Sequence, residues 1–126
     1  MILDSSFLID LMASDEAAVA KLEELVADGK PLGISPLTAT EVGTGLRDES
    51  AREAFDDVLV DVDVVPFDRD EALRAARIQR RLEADGQRIG VVDAMIAATA
   101  LERDDAVVTR NVSEFRRVDG VRVTPY

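Results

Sequence analysis

Short apolar runs that alternate with helical patterns constrain this chain more than any other feature. Met1–Leu3, Leu32–Ile34, Val60–Pro66, Ala106–Thr109 and Val121–Thr124 read as strands. Helical periodicities lie between them. Ser5–Met12 places Phe7, Leu8, Leu11 and Met12 on one face, and Ala17–Ala27 follows, ended by Gly29 and barred by Pro31. Ser35-Pro36 reads as the N-cap and first residue of a helix to about Arg47, and Glu49–Leu59 as another. Asp68 and Glu71 form a capping box for a long helix to about Ala84, closed by Gly86. Val91–Glu102 is Ala-rich and expected to be buried on most faces, and a helical turn near Val112–Arg116 leads to the last strand. The alternation predicts an α/β three-layer sandwich in which a mainly parallel sheet of about five strands is flanked by helices, with 1–126 as one domain.

Four polar residues sit at the ends of these strands or on the helices that follow. Asp4 comes after Met1–Leu3, Glu41 lies on the helix after Leu32–Ile34, Asp93 opens Val91–Glu102, and Asn111 follows Ala106–Thr109. In open parallel sheets such positions converge, and ligands bind in the crevice outside the carboxyl ends of the strands. Three carboxylates gathered there repel one another unless a cation joins them, and hard divalent cations take oxygen ligands. The chain has no cysteine and no histidine, which removes thiolate sites and the usual general base. The pattern therefore points to a metal-dependent enzyme that works through carboxylates, amides, hydroxyls and water.

Each candidate has an ordinary structural role to set beside this one. Asp4 is a good helix N-cap, although Ser5 or Ser6 could serve equally well. Ser6 could hydrogen-bond the Asp4 carboxylate or a water. Glu41 would be a solvated helix former but for its neighbours Thr38, Thr40 and Thr44 and the following Gly43 and Gly45, which suggest close approach of another helix, a subunit or a substrate. A first-turn Asp93 complements the helix dipole, yet its small apolar neighbours place it near the core, where a carboxylate needs a partner. Asn111 suits a turn or cap, and Glu114 could complete a capping box with it or supply another carboxylate. Thr109 and Arg110 flank this fourth position.

The net charge is −11, with Asp over Glu 16 to 10 and Arg over Lys 13 to 2. An acidic balance ordinarily argues against nucleic acid, because phosphate contacts need Lys and Arg. An Asp excess with almost no Lys resembles proteins of salt-accumulating archaea, where acidity serves solubility and salt screens the repulsion. Local arginine placement then matters more than the total. Arg74, Arg77 and Arg81 share a helix face at i, i+3 and i+7, and Arg110, Arg116 and Arg117 flank the fourth candidate. The N-terminus MILDSS has no basic region, and Val91–Leu101 is too short to span a bilayer, so a cytoplasmic location is expected.

The stretches MILDSSFLIDLM, SPLTATEVGTGL, IGVVDAMIAATALE and VVTRNVSEFRRVDGV, in this order, resemble the PIN-domain family and, within it, the VapC-type toxins of toxin–antitoxin pairs. The resemblance implies a PIN-like fold and an RNA endonuclease using Mg²⁺ or Mn²⁺, with metal-binding carboxylates at Asp4, Glu41 and Asp93. The fourth family position, often Asp, is matched by Asn111, which removes one negative charge and bears on whether a second metal binds. Partners implied are an RNA substrate, a small VapB-like antitoxin and a second copy in a homodimer. Leu8, Leu11, Met12 and the Gly43/Gly45 face are candidate contact surfaces or ordinary core. Two other readings remain beside it: a non-catalytic PIN-like module that only binds a partner, and an Asp-based phosphatase or phosphotransfer domain. The latter's usual second Asp is replaced by Ser6.

Overall fold

The computed structural model describes residues 1–126. Five short strands are present: β1 (Ile2–Leu3), β2 (Gly33–Ile34), β3 (Asp63–Val64), β4 (Ala106–Val108) and β5 (Arg122–Thr124). They form one sheet in the order β3-β2-β1-β4-β5, and every neighbouring pair is parallel. The register pairs Ile2 with Gly33 on one side and with Val107 on the other, and Leu3 with Val108. The chain winds outward from β1 to β3, then returns to β4 on the opposite side of β1. The direction of winding thus reverses between β1 and β4, which is where open α/β sheets place their ligands.

Alternation along the strands sorts the core into two halves. Ile2 and Val107 face a cluster with Leu82, Ile96, Ala97 and Phe115, supplied by α5 (Arg69–Ala84), α6 (Val91–Glu102) and α7 (Val112–Phe115). Leu3 and Val108 face the other way, onto Phe7, Leu8, Leu25, Val42 and Phe55 from α1 (Ser5–Met12), α2 (Glu16–Ala27), α3 (Pro36–Thr44) and α4 (Glu49–Asp61). The result is the three-layer sandwich that the alternation of elements predicts. No helix is long and apolar enough to cross a membrane.

Local signals explain most boundaries. Asp15 caps α2 by accepting from Ala18 N–H, Ser35 caps α3 by accepting from Leu37 N–H, and Glu71 Oε2 accepts from Asp68 N–H at 3.1 Å ahead of α5. Gly29 and Gly86 follow α2 and α5 at φ +68, in the left-handed region.

Two boundaries shift by two residues or more, and one surface reading changes. The strand expected at Val60–Pro66 is only Asp63–Val64, because α4 continues through Asp61. Phe55, Val58, Leu59 and Val62 recur at helical spacing and pack into one cluster, while Val60 is 80% exposed. Helical burial outweighs the Val-Asp-Val-Asp-Val alternation there. The helix expected to reach Arg47 ends at Thr44, with Gly45 as its C-cap. The contact-surface reading of Leu8 also gives way, since Leu8 is fully buried and Leu11 and Met12 pack against the same cluster.

Candidate active site

Asp4 leaves β1 at the winding reversal. Its N–H donates to Val108 O at 3.0 Å, which extends the β1–β4 pairing by one residue and fixes where the side chain emerges. The carboxylate is buried, at 4% exposure, and takes three donors. Oδ1 accepts from Ser5 N–H at 2.8 Å, so Asp4 does cap α1. Oδ2 accepts from Ser6 Oγ at 2.9 Å and from Thr109 Oγ1 at 2.7 Å. One oxygen of Asp4 therefore caps the helix, and the other is held by two hydroxyls.

Thr109 ties the two central strands together at this point. It is fully buried, donates to Asp4, and accepts from Asn111 N–H at 2.8 Å. Ser6 Oγ accepts from Arg110 N–H at 3.3 Å, a second link between the start of α1 and the loop after β4. Asn111 does not cap α7 through its side chain. Its Nδ2 instead contacts Glu114 Oε2 at 3.4 Å, and the capping box expected for this pair is not formed. The reason lies in the backbone: Asn111 sits at φ −85 and ψ 49, away from the extended conformation of the other capping residues, and Thr109 already holds its N–H.

Asp93 lies in the first turn of α6, half-buried. Burial, then a hydrogen bond with Glu114, then the Asp4, Glu114 and Glu41 charges, push its carboxyl up from 3.8 to about 7. Asp4, Glu41, Asp93 and Asn111 line one cleft of about 440 Å³ together with Ser6. Glu41 is exposed at its edge. The two glycines after it are not needed for close packing within the chain: a Cβ at Gly43 would meet Phe55 at 3.9 Å, and one at Gly45 would meet Val42 O at 3.5 Å, both ordinary contacts.

Arg110 does not turn its guanidinium into this cleft. It pairs with Asp10 and lies 5.8 Å from the centroid of the Tyr126 ring. Tyr126 OH donates to Asp10, and its ring meets Phe7 edge-on at 4.9 Å. Burial and the Asp10 hydrogen bond raise the Tyr126 phenol from 10.0 to about 12. Sequence reasoning missed this cluster, which joins residues 116 positions apart and leaves no local pattern. It also missed Ile9 and Val91, apolar residues of the cleft that are 54% and 57% exposed. Ile9 could have been found, because it follows Ser5 by one helical turn.

The donors in the cleft are oxygen atoms of carboxylates, hydroxyls and an amide, a set suited to Mg²⁺ or Mn²⁺. Asp4, Glu41, Asp93 and Glu114 have no Lys or Arg partner among the ion pairs. No group of three acids is arranged to hold an ion by itself. Mg²⁺ is commonly held through one or two carboxylates with water completing its shell. Asp93, a half-buried carboxyl raised by its acidic neighbours, has the environment that a cation would relieve. The residues fit such an ion.

A fold wound this way, with acids at its reversal point, matches a known family. The PIN domain model matches residues 1–121, and the chain belongs to the PIN-domain family. It is similar to "Ribonuclease VapC19" of Mycobacterium tuberculosis, 32% identical over 116 residues that cover 90% of each chain. VapBC2 from Rickettsia felis, solved bound to a DNA fragment from its promoter, shares the fold at a TM-score of 0.88, with 22% identity over 99% of this chain and 97% of that one. A toxin–antitoxin complex from Klebsiella pneumoniae aligns at a TM-score of 0.80, with 28% identity over 99% and 97%.

Proposed function

We propose that this chain is an Mg²⁺- or Mn²⁺-dependent RNA endonuclease acting in the cytoplasm, the toxin of a VapBC-type pair, with 1–126 as one PIN domain. A small VapB-like antitoxin and a second copy of the chain are its partners in this reading. One observation carries it: Asp4, Glu41 and Asp93 line a single cleft at the winding reversal, with no basic side chain in its lining. The kinship with ribonuclease VapC19 supplies the substrate class.

Asp4, Asp93 and Glu41 would hold the ion, with Asn111 and Glu114 on the fourth side. When bound, the ion supplies Lewis acidity toward the phosphodiester and its attacking water. Ser6 and Thr109 hold the Asp4 carboxylate in one orientation by donating to it. Asp93 must shed its proton to ligate, and a nearby cation favours that ionised form. Glu41, exposed and without an ion-pair partner, completes the ligand set or orients the water. Asn111 contributes a neutral oxygen, one negative charge fewer than an aspartate there.

The test is cleavage of RNA by the purified chain with Mg²⁺ or Mn²⁺. Activity should be lost with chelator and in Asp4→Asn. Cleavage that survives both would remove the metal-site assignment. Phosphate release from a small ester, without RNA cleavage, would favour the phosphatase reading.

A further inference from the structure

The arginines of the long helix are not absorbed by the cleft. Arg74, Arg77 and Arg81 line a second cavity of about 380 Å³ together with Arg117, over an apolar floor that includes Leu82 and Leu101. Its position is distinct from the cleft. Asp93 stands in the first turn of α6 and Leu101 in its last, about 12 Å apart along the helix axis. Two aspartates, Asp85 and Asp119, also line it, so four guanidiniums face two carboxylates in a chain of net charge −11.

The guanidiniums differ in how they are held. Arg74 pairs with Glu102 of α6, whose side chain is 24% exposed, and Arg117 donates to Arg88 O at 3.2 Å. Arg81 pairs with Asp119 at 3.1 Å, with both side chains more than 70% exposed, a pair that solvent and salt weaken readily. Arg77 is exposed and takes part in no hydrogen bond or ion pair of its side chain. It has a place in the cavity wall and no internal partner.

We propose that this cavity is an exosite for RNA phosphates, gripping the substrate backbone away from the cleaved bond. The proposal rests on the ribonuclease reading above. A cleft lined by carboxylates with no basic side chain repels a polyanion except where a cation neutralises it. Arg110, which adjoins the cleft in sequence, is committed to Asp10 and Tyr126. Grip on RNA must then come from elsewhere on the surface. The Arg74–Arg81 row runs about 10 Å along α5, the length of a short phosphodiester stretch rather than of a single phosphate. Guanidiniums sharing one cavity lining with Ile78 and Leu101 combine charge for a phosphate with apolar surface for a base or ribose, which suits RNA better than an acidic peptide.

Arg77→Glu and Arg77→Lys, each in an Asp93→Asn background that blocks cleavage, are titrated with a labelled single-stranded RNA at several salt concentrations. Arg52→Glu, on the exposed Glu49 pair of α4, controls for the change in total charge. Arg77→Glu should weaken binding about tenfold in dilute salt and lower the salt slope by about one, while Arg77→Lys keeps most of the affinity. An Arg77→Glu effect no larger than that of Arg52→Glu overturns the exosite. Unchanged RNA binding with weakened binding of polyglutamate reassigns the cavity to an acidic protein partner. If the unmutated chain neither binds nor cleaves RNA, the ribonuclease reading fails, and the exosite falls with it.

Discussion

Asp93→Asn should make the metal-free protein more stable, by an amount that depends on pH. In the folded chain the Asp93 carboxyl is raised from 3.8 to about 7, first by burial and then by Glu114, Asp4 and Glu41. The native state therefore binds this proton more tightly than the unfolded chain does. The resulting stability is fully present below pH 3.8 and is lost as pH rises through about 7. A displacement of that size corresponds to about 4 kcal/mol at 1.36 kcal/mol per pH unit. The carboxyl is only half-buried, so solvent screening reduces this to roughly 1–2 kcal/mol. Asn copies the protonated acid at every pH, since its amide can donate to Glu114 as the protonated carboxyl does. For a chain of this length the gain is roughly 4–8 °C in melting temperature at pH 8. Thermal denaturation followed by circular dichroism in the presence of chelator reads it directly. The gap between variant and parent should shrink by more than half at pH 5, where the parent is itself protonated, and saturating Mg²⁺ should raise the parent more than the variant. A variant no more stable than its parent at pH 8, or a gap equal at both pH values, would refute the account of a carboxylate strained by its neighbours.

Asn111→Asp replaces the Asn111–Glu114 contact at 3.4 Å with two facing carboxylates. It should lower the melting temperature without metal and tighten Mn²⁺ binding in calorimetric titration; equal affinity and stoichiometry in both forms would mean that residue 111 does not face the ion. Gly33→Ala should cost about 1–3 kcal/mol in urea denaturation, because its Cβ would stand 2.7 Å from Val65 Cγ1 in the middle of the sheet; a neutral substitution would mean that β2 and the Val65 segment separate easily. Tyr126 is the single tyrosine, so ultraviolet absorbance reports its ionisation alone. It should be less than half ionised at pH 10 to 11 in the native protein, consistent with about 12, and half ionised near 10 when the chain is unfolded in denaturant; matching curves would remove the Asp10 bond.

Local pattern along the chain was enough to give the alternation of elements, and with it the sandwich. α1 and α6 fall on the residues expected, because each has a local start, Asp4 and Gly90, followed by a one-sided apolar face in α1 and an Ala-rich run buried on most faces in α6. The positions of Asp4, Glu41, Asp93 and Asn111 around one cleft were legible for the same reason, since strand ends in a parallel sheet point to one edge. Tertiary structure alone decided three things. It chose helix over strand at Val60-Asp61, where two periodicities compete and the deeper burial of Phe55 and Val62 wins. It turned Arg110 toward Asp10 and Tyr126, a choice set by a partner at the far end of the chain. It raised the Asp93 carboxyl, which depends on three acids distant in sequence and on how much water reaches them. Local pattern encodes backbone geometry and burial to a first approximation. The orientation and charge of a side chain are set by neighbours that only the folded chain supplies.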